Sequence, residues 1–176
     1  MSLQTESRRV FVRPLASYVA GDLYGEWIDV DGMTGDELTD AVAEVLKNGP
    51  QPDAEEWAIH DYEGFGPIKL GEHPDLDTVT EVAEALDEHG EAYAVWYENE
   101  SRDGADVDGF NEQYRGAFRT LEDYAEQYLD DIGAFHGASD LLKNYFDYEK
   151  FARDLELGGD IWTESGEDGV YVFDNH

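Results

Sequence analysis

Apolar and polar positions alternate in three short stretches of the N-terminal part of the chain, which predicts β-strands. These stretches are residues 9–12, 23–30 and 56–61. Between the second and third, the apolar residues return with helical spacing over residues 34–46, after Thr34, a typical N-cap with a glutamate three positions later. The pattern therefore predicts a small sheet that carries one helix.

The middle of the chain has a helical period. Residues 75–89 carry one apolar stripe, formed by Leu76, Val79, Val82, Ala83 and Leu86. Gly90 ends this predicted helix, and a second helix is expected over residues 91–100. The polar residues 101–104 predict a linker.

The C-terminal part predicts two helical regions and a hairpin. After the N-cap Thr120, six apolar residues are expected to face inward: Leu121, Tyr124, Ala125, Tyr128, Leu129 and Ile132. Residues 140–157 are expected to be helical with a break, and residues 160–163 and 170–173 to pair as a hairpin. The predicted fold class is α+β, with antiparallel strands at both ends and helices between them.

The dominant feature of the composition is its excess of negative charge. The 176 residues include 43 acids and 11 lysines and arginines, which gives a net charge of −32. Residues 20–112 contain 27 of these acids and three bases, whereas residues 113–153 are nearly balanced, with eight acids and five bases. Nucleic acid and anionic membranes would be repelled, and basic protein surfaces attracted.

The acids follow the helical period on the faces opposite the apolar ones. Neighbours at such spacing lie roughly 5–6 Å apart at Cβ, where like charges destabilise a helix. A candidate phosphate-mimicking surface is therefore formed by these stripes and by further acids between residues 98 and 112. It comprises Glu37, Asp40, Glu44, Asp77, Glu81, Glu84, Glu88, Glu98, Glu100, Asp103, Asp106, Asp108, Glu112, Glu122, Glu126 and Asp130.

The density of charge is comparable with that of DNA. Duplex DNA carries one charge per roughly 1.7 Å of axis, so the net −24 of residues 20–112 matches roughly 41 Å, or about 12 base pairs. An acid-rich, lysine-poor composition also suits a protein adapted to high salt. Salt adaptation should spread the acids evenly, however, and the near-neutral segment 113–153 favours DNA imitation.

Several classes of function lack their motifs. Cysteine is absent, the five histidines show no metal-ligand spacing, and no nucleotide-binding or nucleophile-elbow motif is present. We therefore expect no cofactor, no metal site and no enzyme activity, although a hydrolase that uses a carboxylate pair stays open as an alternative. No signal peptide or membrane segment is recognised, so a cytoplasmic location is expected.

Several blocks of sequence resemble the ArdA family of antirestriction proteins. The most specific block is residues 56–65, EWAIHDYEGF, and residues 23–29, LYGEWID, precede it. Residues 114–118, 122–125, 145–148 and 170–174 are similar to the same family. The resemblance covers nearly the whole chain.

This resemblance implies an elongated homodimer that mimics bent B-form DNA and blocks type I restriction-modification enzymes. It also implies three small domains, which we place at residues 1–66, 67–103 and 104–176, with the dimer contact in the last. Low charge and many apolar groups there favour Leu141, Leu142, Tyr145 and Phe146 for that contact. The alternative function is a salt-adapted binding module or chaperone for basic proteins.

Overall fold

The computed structural model describes residues 2–100 and 104–175. The chain divides into two compact units, residues 1–107 and residues 108–176. Each combines helices with a three-stranded antiparallel sheet, which confirms the predicted α+β class. The predicted boundary between residues 66 and 67 stays a prediction.

The first unit has its strands before its last two helices. In chain order its elements are β1 (Arg9–Pro14), α1 (Leu15–Ala20), β2 (Glu26–Asp29), α2 (Gly35–Asn48), β3 (Trp57–Glu63), α3 (Leu76–His89) and α4 (Glu91–Glu100). The sheet order is β2-β1-β3, with a bulge in β1 between Phe11 and Val12.

Local capping explains where the two long helices of this unit begin. At α2, the Thr34 hydroxyl accepts from the Glu37 backbone N–H, and the Glu37 carboxylate accepts from the Thr34 N–H at 2.8 Å. At α3, the Asp75 carboxylate accepts from the Thr78 N–H at 3.1 Å. These bonds satisfy N–H groups that have no partner within the helix.

The core of the first unit lies between the sheet and its helices. The predicted apolar stripe of α3 is buried apart from Leu76, which is half-buried. The helix α3 packs against α2 and α4. The core includes Val10, Val12, Ile28, Leu38, Val42, Ile59, Phe65, Ile68, Tyr93 and Trp96. Burial of this stripe directs the acids of α3 to the solvent.

In the second unit, a helix and a strand come before three further helices and two strands. Its elements are α5 (Val107–Gln113), β4 (Tyr114–Phe118), α6 (Leu121–Asp131), α7 (Asp140–Asn144), α8 (Tyr148–Leu157), β5 (Ile161–Gly166) and β6 (Gly169–Asp174). The sheet order is β4-β6-β5. The predicted hairpin and helix break are both present.

The central strand β6 is covered on both faces, and three consecutive residues of it are buried. Val172 packs with Tyr124 and Ile161. Phe173 stacks on Trp162, with ring centroids 4.1 Å apart, and also contacts the rings of Phe110 and Tyr114. Two-sided burial explains why β6 is more apolar than an alternating strand.

Several details differ from the predictions. The short helices α1 and α5 and the strand β4 were not predicted, and β2 begins at Glu26 rather than at residue 23. The inward placement of Ile132 is wrong: α6 ends one residue earlier, and the Ile132 side chain is 58% exposed. Tyr128 is also partly exposed.

Candidate acidic binding surface

The α2 part of the predicted surface faces solvent, and two of its acids also make contacts within or next to the helix. Glu37, Asp40 and Glu44 are all exposed. Glu37 completes the capping box at Thr34, and the Glu44 carboxylate lies 3.9 Å from the Lys47 ammonium. Exposed ion pairs of this kind contribute little to stability. With Lys47 counted, the three acids of the α2 stripe still carry a net negative charge.

The α3 stripe is the most regular part of the surface. Asp77, Glu81, Glu84 and Glu88 are exposed along one side of the helix. A Cβ on Gly35 would lie only 1.6 Å from the Asp77 Oδ1 atom, so a glycine at the first residue of α2 allows the two helices to approach. Both stripes therefore belong to one packed unit.

The acids at the end of α4, in α5 and in the segment between these helices have varied environments. Glu98, Asp106, Asp108 and Glu112 are exposed, Glu100 is half-buried, and Asp103 lies outside the described residues. Asp106 has a φ of 36°, in the left-handed region that aspartate tolerates better than most residues. The predicted acids are thus at the surface in this segment wherever the structure describes them, with Glu100 the least accessible.

The α6 stripe belongs to the second unit. Glu122, Glu126 and Asp130 are exposed. Burial raises the pKa of the Tyr148 phenol, and the negative charges of Glu126 and Asp130 raise it further. The charges of these two carboxylates therefore act on a phenol of the same unit.

Arginines pair with acids outside the predicted surface, a feature that sequence reasoning missed. Arg8 pairs with Asp31 at 2.9 Å, Arg9 with Glu63 at 2.7 Å, and Arg115 with Asp174. The hydrogen bond from Arg119 lowers the pKa of the Asp123 carboxyl. Apart from the Arg119–Asp123 pair, four residues apart, these partners are distant in sequence, so a helical period could not reveal them.

An exposed apolar patch lies on the second unit. Leu141, Leu142 and Tyr145 are 64%, 65% and 82% exposed. Phe146, predicted alongside them, is half-buried, because its ring contacts those of Phe135, Tyr148 and Phe151. Of the four residues predicted for the dimer contact, three therefore present their side chains to solvent.

Two other features were considered for residues 2–100 and 104–175, a metal-binding cluster and a membrane-spanning helix. In these ranges no three His, Asp or Glu side chains are grouped so that they could hold a metal ion. No helix there has the length and apolar character needed to cross a membrane.

Comparison with known proteins agrees with the resemblance seen in the sequence. The model of the family described as antirestriction protein (ArdA) matches residues 10–169. No curated protein matches the chain. The match runs from β1 to the start of β6 and includes the acidic helices of both units. Because it spans most of the 176 residues, the chain belongs to the ArdA family of antirestriction proteins.

Proposed function

We propose that this protein is a non-catalytic inhibitor that occupies the DNA-binding groove of type I restriction-modification enzymes by imitating duplex DNA. The observation that carries the proposal is the solvent exposure of carboxylates in regular stripes on α2, α3 and α6. A groove that binds DNA phosphates is lined with cationic groups, which attract such a surface.

The spacing of the acids explains why several stripes are needed. With a helical rise of 1.5 Å per residue, the four acids of α3 span roughly 16 Å, or about one charge per 5.5 Å. Duplex DNA has one charge per roughly 1.7 Å. About three stripes side by side would reach that density, so we attribute binding to the summed field.

The distribution of cations supports the same proposal. Arg8, Arg9, Arg115 and Arg119 pair with Asp31, Glu63, Asp174 and Asp123, which lie outside the α2, α3 and α6 stripes. These four arginines thereby neutralise other acids, although Glu44 of the α2 stripe lies 3.9 Å from Lys47. A stripe of like charges destabilises its helix, so its presence is not explained by stability. Binding to a cationic groove would explain it.

We further propose that the protein acts as a homodimer through the apolar patch of Leu141, Leu142 and Tyr145, with Phe146 beneath it. Residues 113–153 have a net charge of −3, so the electrostatic repulsion between two copies would be lowest if they met there. Two copies carry −64, which corresponds to roughly 109 Å of duplex at 1.7 Å per charge. Such a dimer would span a long DNA-binding groove of the enzyme. We propose that this binding takes place in the cytoplasm.

A cleavage assay tests the function. Purified protein is added to a type I restriction enzyme with its DNA substrate and, in parallel, to a type II enzyme. We expect loss of type I cleavage at protein concentrations that leave the type II enzyme active. Equal inhibition of both enzymes, or of neither, would contradict the proposed target.

A further inference from the structure

A groove on the first unit combines apolar and acidic groups in a way that the acidic stripes do not. One wall is α1, which contributes Leu15, Ala16, Val19 and Ala20, and the other is the segment 53–56. The groove has a volume of about 630 Å³ and is open to solvent. Leu15, Glu55 and Glu56 also line an adjoining hollow with Trp57 and His73, so the groove continues along this side of the unit.

One backbone hydrogen bond joins the two walls of this α1 groove, and further bonds link α1 and the following Asp22 to Gln51, which precedes the second wall. The Leu15 backbone N–H donates to the Glu56 carbonyl at 2.9 Å. The Ser17 hydroxyl lies 2.7 Å from the Gln51 Oε1 atom, and the Gln51 amide donates to the Asp22 carboxylate at 2.9 Å. A groove built in this way needs little rearrangement before it binds a ligand, which lowers the cost of binding.

The apolar wall of the groove is exposed to solvent. Val19 is 85% exposed, and Ala16 and Ala20 are also exposed. The helix α1 itself carries no charged residue. The acids that form the opposite rim, Asp53, Glu55 and Glu56, are exposed, and no lysine or arginine occurs between Lys47 and Lys69.

We propose that the α1 groove docks a basic amphipathic segment of a partner protein. Apolar side chains of that segment would lie on Leu15 and Val19, and its lysines or arginines would meet the rim acids. Charge complementarity selects this occupant, because a second copy of a chain with net charge −32 would bring mainly acids to an acidic rim. The contact goes beyond DNA imitation, which requires no apolar wall.

A peptide titration tests the docking. The probe is a synthetic amphipathic peptide of leucine and lysine, and the control is a scrambled peptide of the same composition without an apolar face. The full-length protein, labelled with ¹⁵N, is titrated at about 0.3 M salt, where the Debye length of roughly 6 Å weakens diffuse attraction to the acidic faces. We expect the largest amide shifts from the amphipathic peptide at residues 15–20 and 51–57. Shifts spread evenly over α2, α3 and α6 would overturn the proposal.

Matched variants distinguish binding in the α1 groove from general attraction of the peptide to an acidic protein. Val19→Ser should weaken binding of the amphipathic peptide about fivefold to tenfold, since it removes an apolar contact without changing charge. Leu157→Ser, at a residue 73% exposed on the second unit, should leave the affinity unchanged. Equal affinities of wild type and Val19→Ser would refute the docking site. Sedimentation of the free Val19→Ser protein as a monomer, where wild type is a dimer, would show that a second copy fills the groove and would also refute it.

Discussion

Arg8 shows how a single cation is used in a protein with a net charge of −32. Its side chain is 1% exposed, and its guanidinium lies 2.9 Å from the Asp31 carboxylate and 3.6 Å from that of Asp87. It also donates to the Leu3 carbonyl. One buried group, next to the start of β1, thus contacts an acid in the turn after β2 and another on α3.

Replacement of Arg8 should destabilise the first unit. Arg8→Met leaves two acids without their cation, and because both acids are partly exposed we expect a loss of about 2–3 kcal/mol, below the 3–5 kcal/mol of a fully buried pair. Urea unfolding measures this loss. Lys47→Met, which removes an exposed cation of the same unit, should cost less than about 0.5 kcal/mol. Equal midpoints for the two variants would contradict the role given to Arg8.

Tyr24 provides a pH-dependent test at the same scale. Burial, followed by the hydrogen bond to Glu26 at 2.7 Å, raises the pKa of the Tyr24 phenol to about 12, against about 10 in an unfolded chain. A raised pKa means that the folded state keeps its proton longer, so this contribution to stability is complete below about pH 10 and is lost as the pH rises to about 12.

The comparison variant for this test is Tyr24→Phe. The difference in unfolding free energy between wild type and Tyr24→Phe should shrink between about pH 9 and pH 11.5. Over this range the unfolded wild-type chain ionises its phenol while the folded state largely keeps the proton, and the variant has no phenol to ionise. Urea unfolding at the two pH values gives this difference, and other tyrosines cancel from it. A difference that stays constant with pH would argue against the shifted pKa of Tyr24.

At the scale of the element, the α3 stripe should oppose stability and support function. Its four acids form three like-charged pairs at i,i+3 or i,i+4 spacing, and each pair destabilises the helix by about 0.2–0.5 kcal/mol. Replacement of Asp77, Glu81, Glu84 and Glu88 by their amides should therefore raise the free energy of unfolding by about 1 kcal/mol and weaken inhibition at least tenfold. Glu84→Gln alone should change either quantity little. Unaltered inhibition by the fourfold variant would remove α3 from the binding surface.

The elements that could be predicted from the sequence are those with local signals. Helices α2, α3 and α6 have N-caps and regular apolar stripes, and the β5–β6 hairpin has a turn-rich connection. Strand β4 could not be found in this way, because its partner β6 follows more than 50 residues later and a bulge between Tyr114 and Gly116 interrupts its alternation. Helix α1 has only six residues and no side-chain cap.

The candidate surface was predictable for a similar reason. When an apolar stripe is buried, the acids on the other side of the helix must face solvent, and Glu81 and Glu84 are exposed as this argument requires. Their part in binding stays a prediction. The helical period gave no information on ion pairs such as that of Arg8 with Asp31, which depend on the tertiary fold. The α1 groove was missed because its two walls are more than 30 residues apart and its helix was not predicted.

At the scale of the whole molecule, self-association should depend on the apolar patch. We expect the wild-type protein to sediment as a dimer at tens of micromolar and moderate salt. Leu142→Glu or Tyr145→Glu should give monomers with an unchanged circular dichroism spectrum, because these side chains are exposed within one chain. Val19→Glu, at an equally exposed position of the first unit, should remain dimeric. A monomeric wild type, or a dimer that survives both patch variants, would exclude this interface.

Competition for DNA tests the central claim of DNA imitation most directly. A labelled duplex containing the recognition site is bound to a type I restriction-modification enzyme, and this protein is titrated in at constant salt, since phosphate-like binding depends strongly on salt. DNA imitation predicts full displacement of the duplex, with a midpoint that rises in proportion to DNA concentration, and weaker displacement by the variant with four amides on α3. Inhibition of cleavage while the duplex stays bound would show that the protein does not compete for the DNA-binding groove.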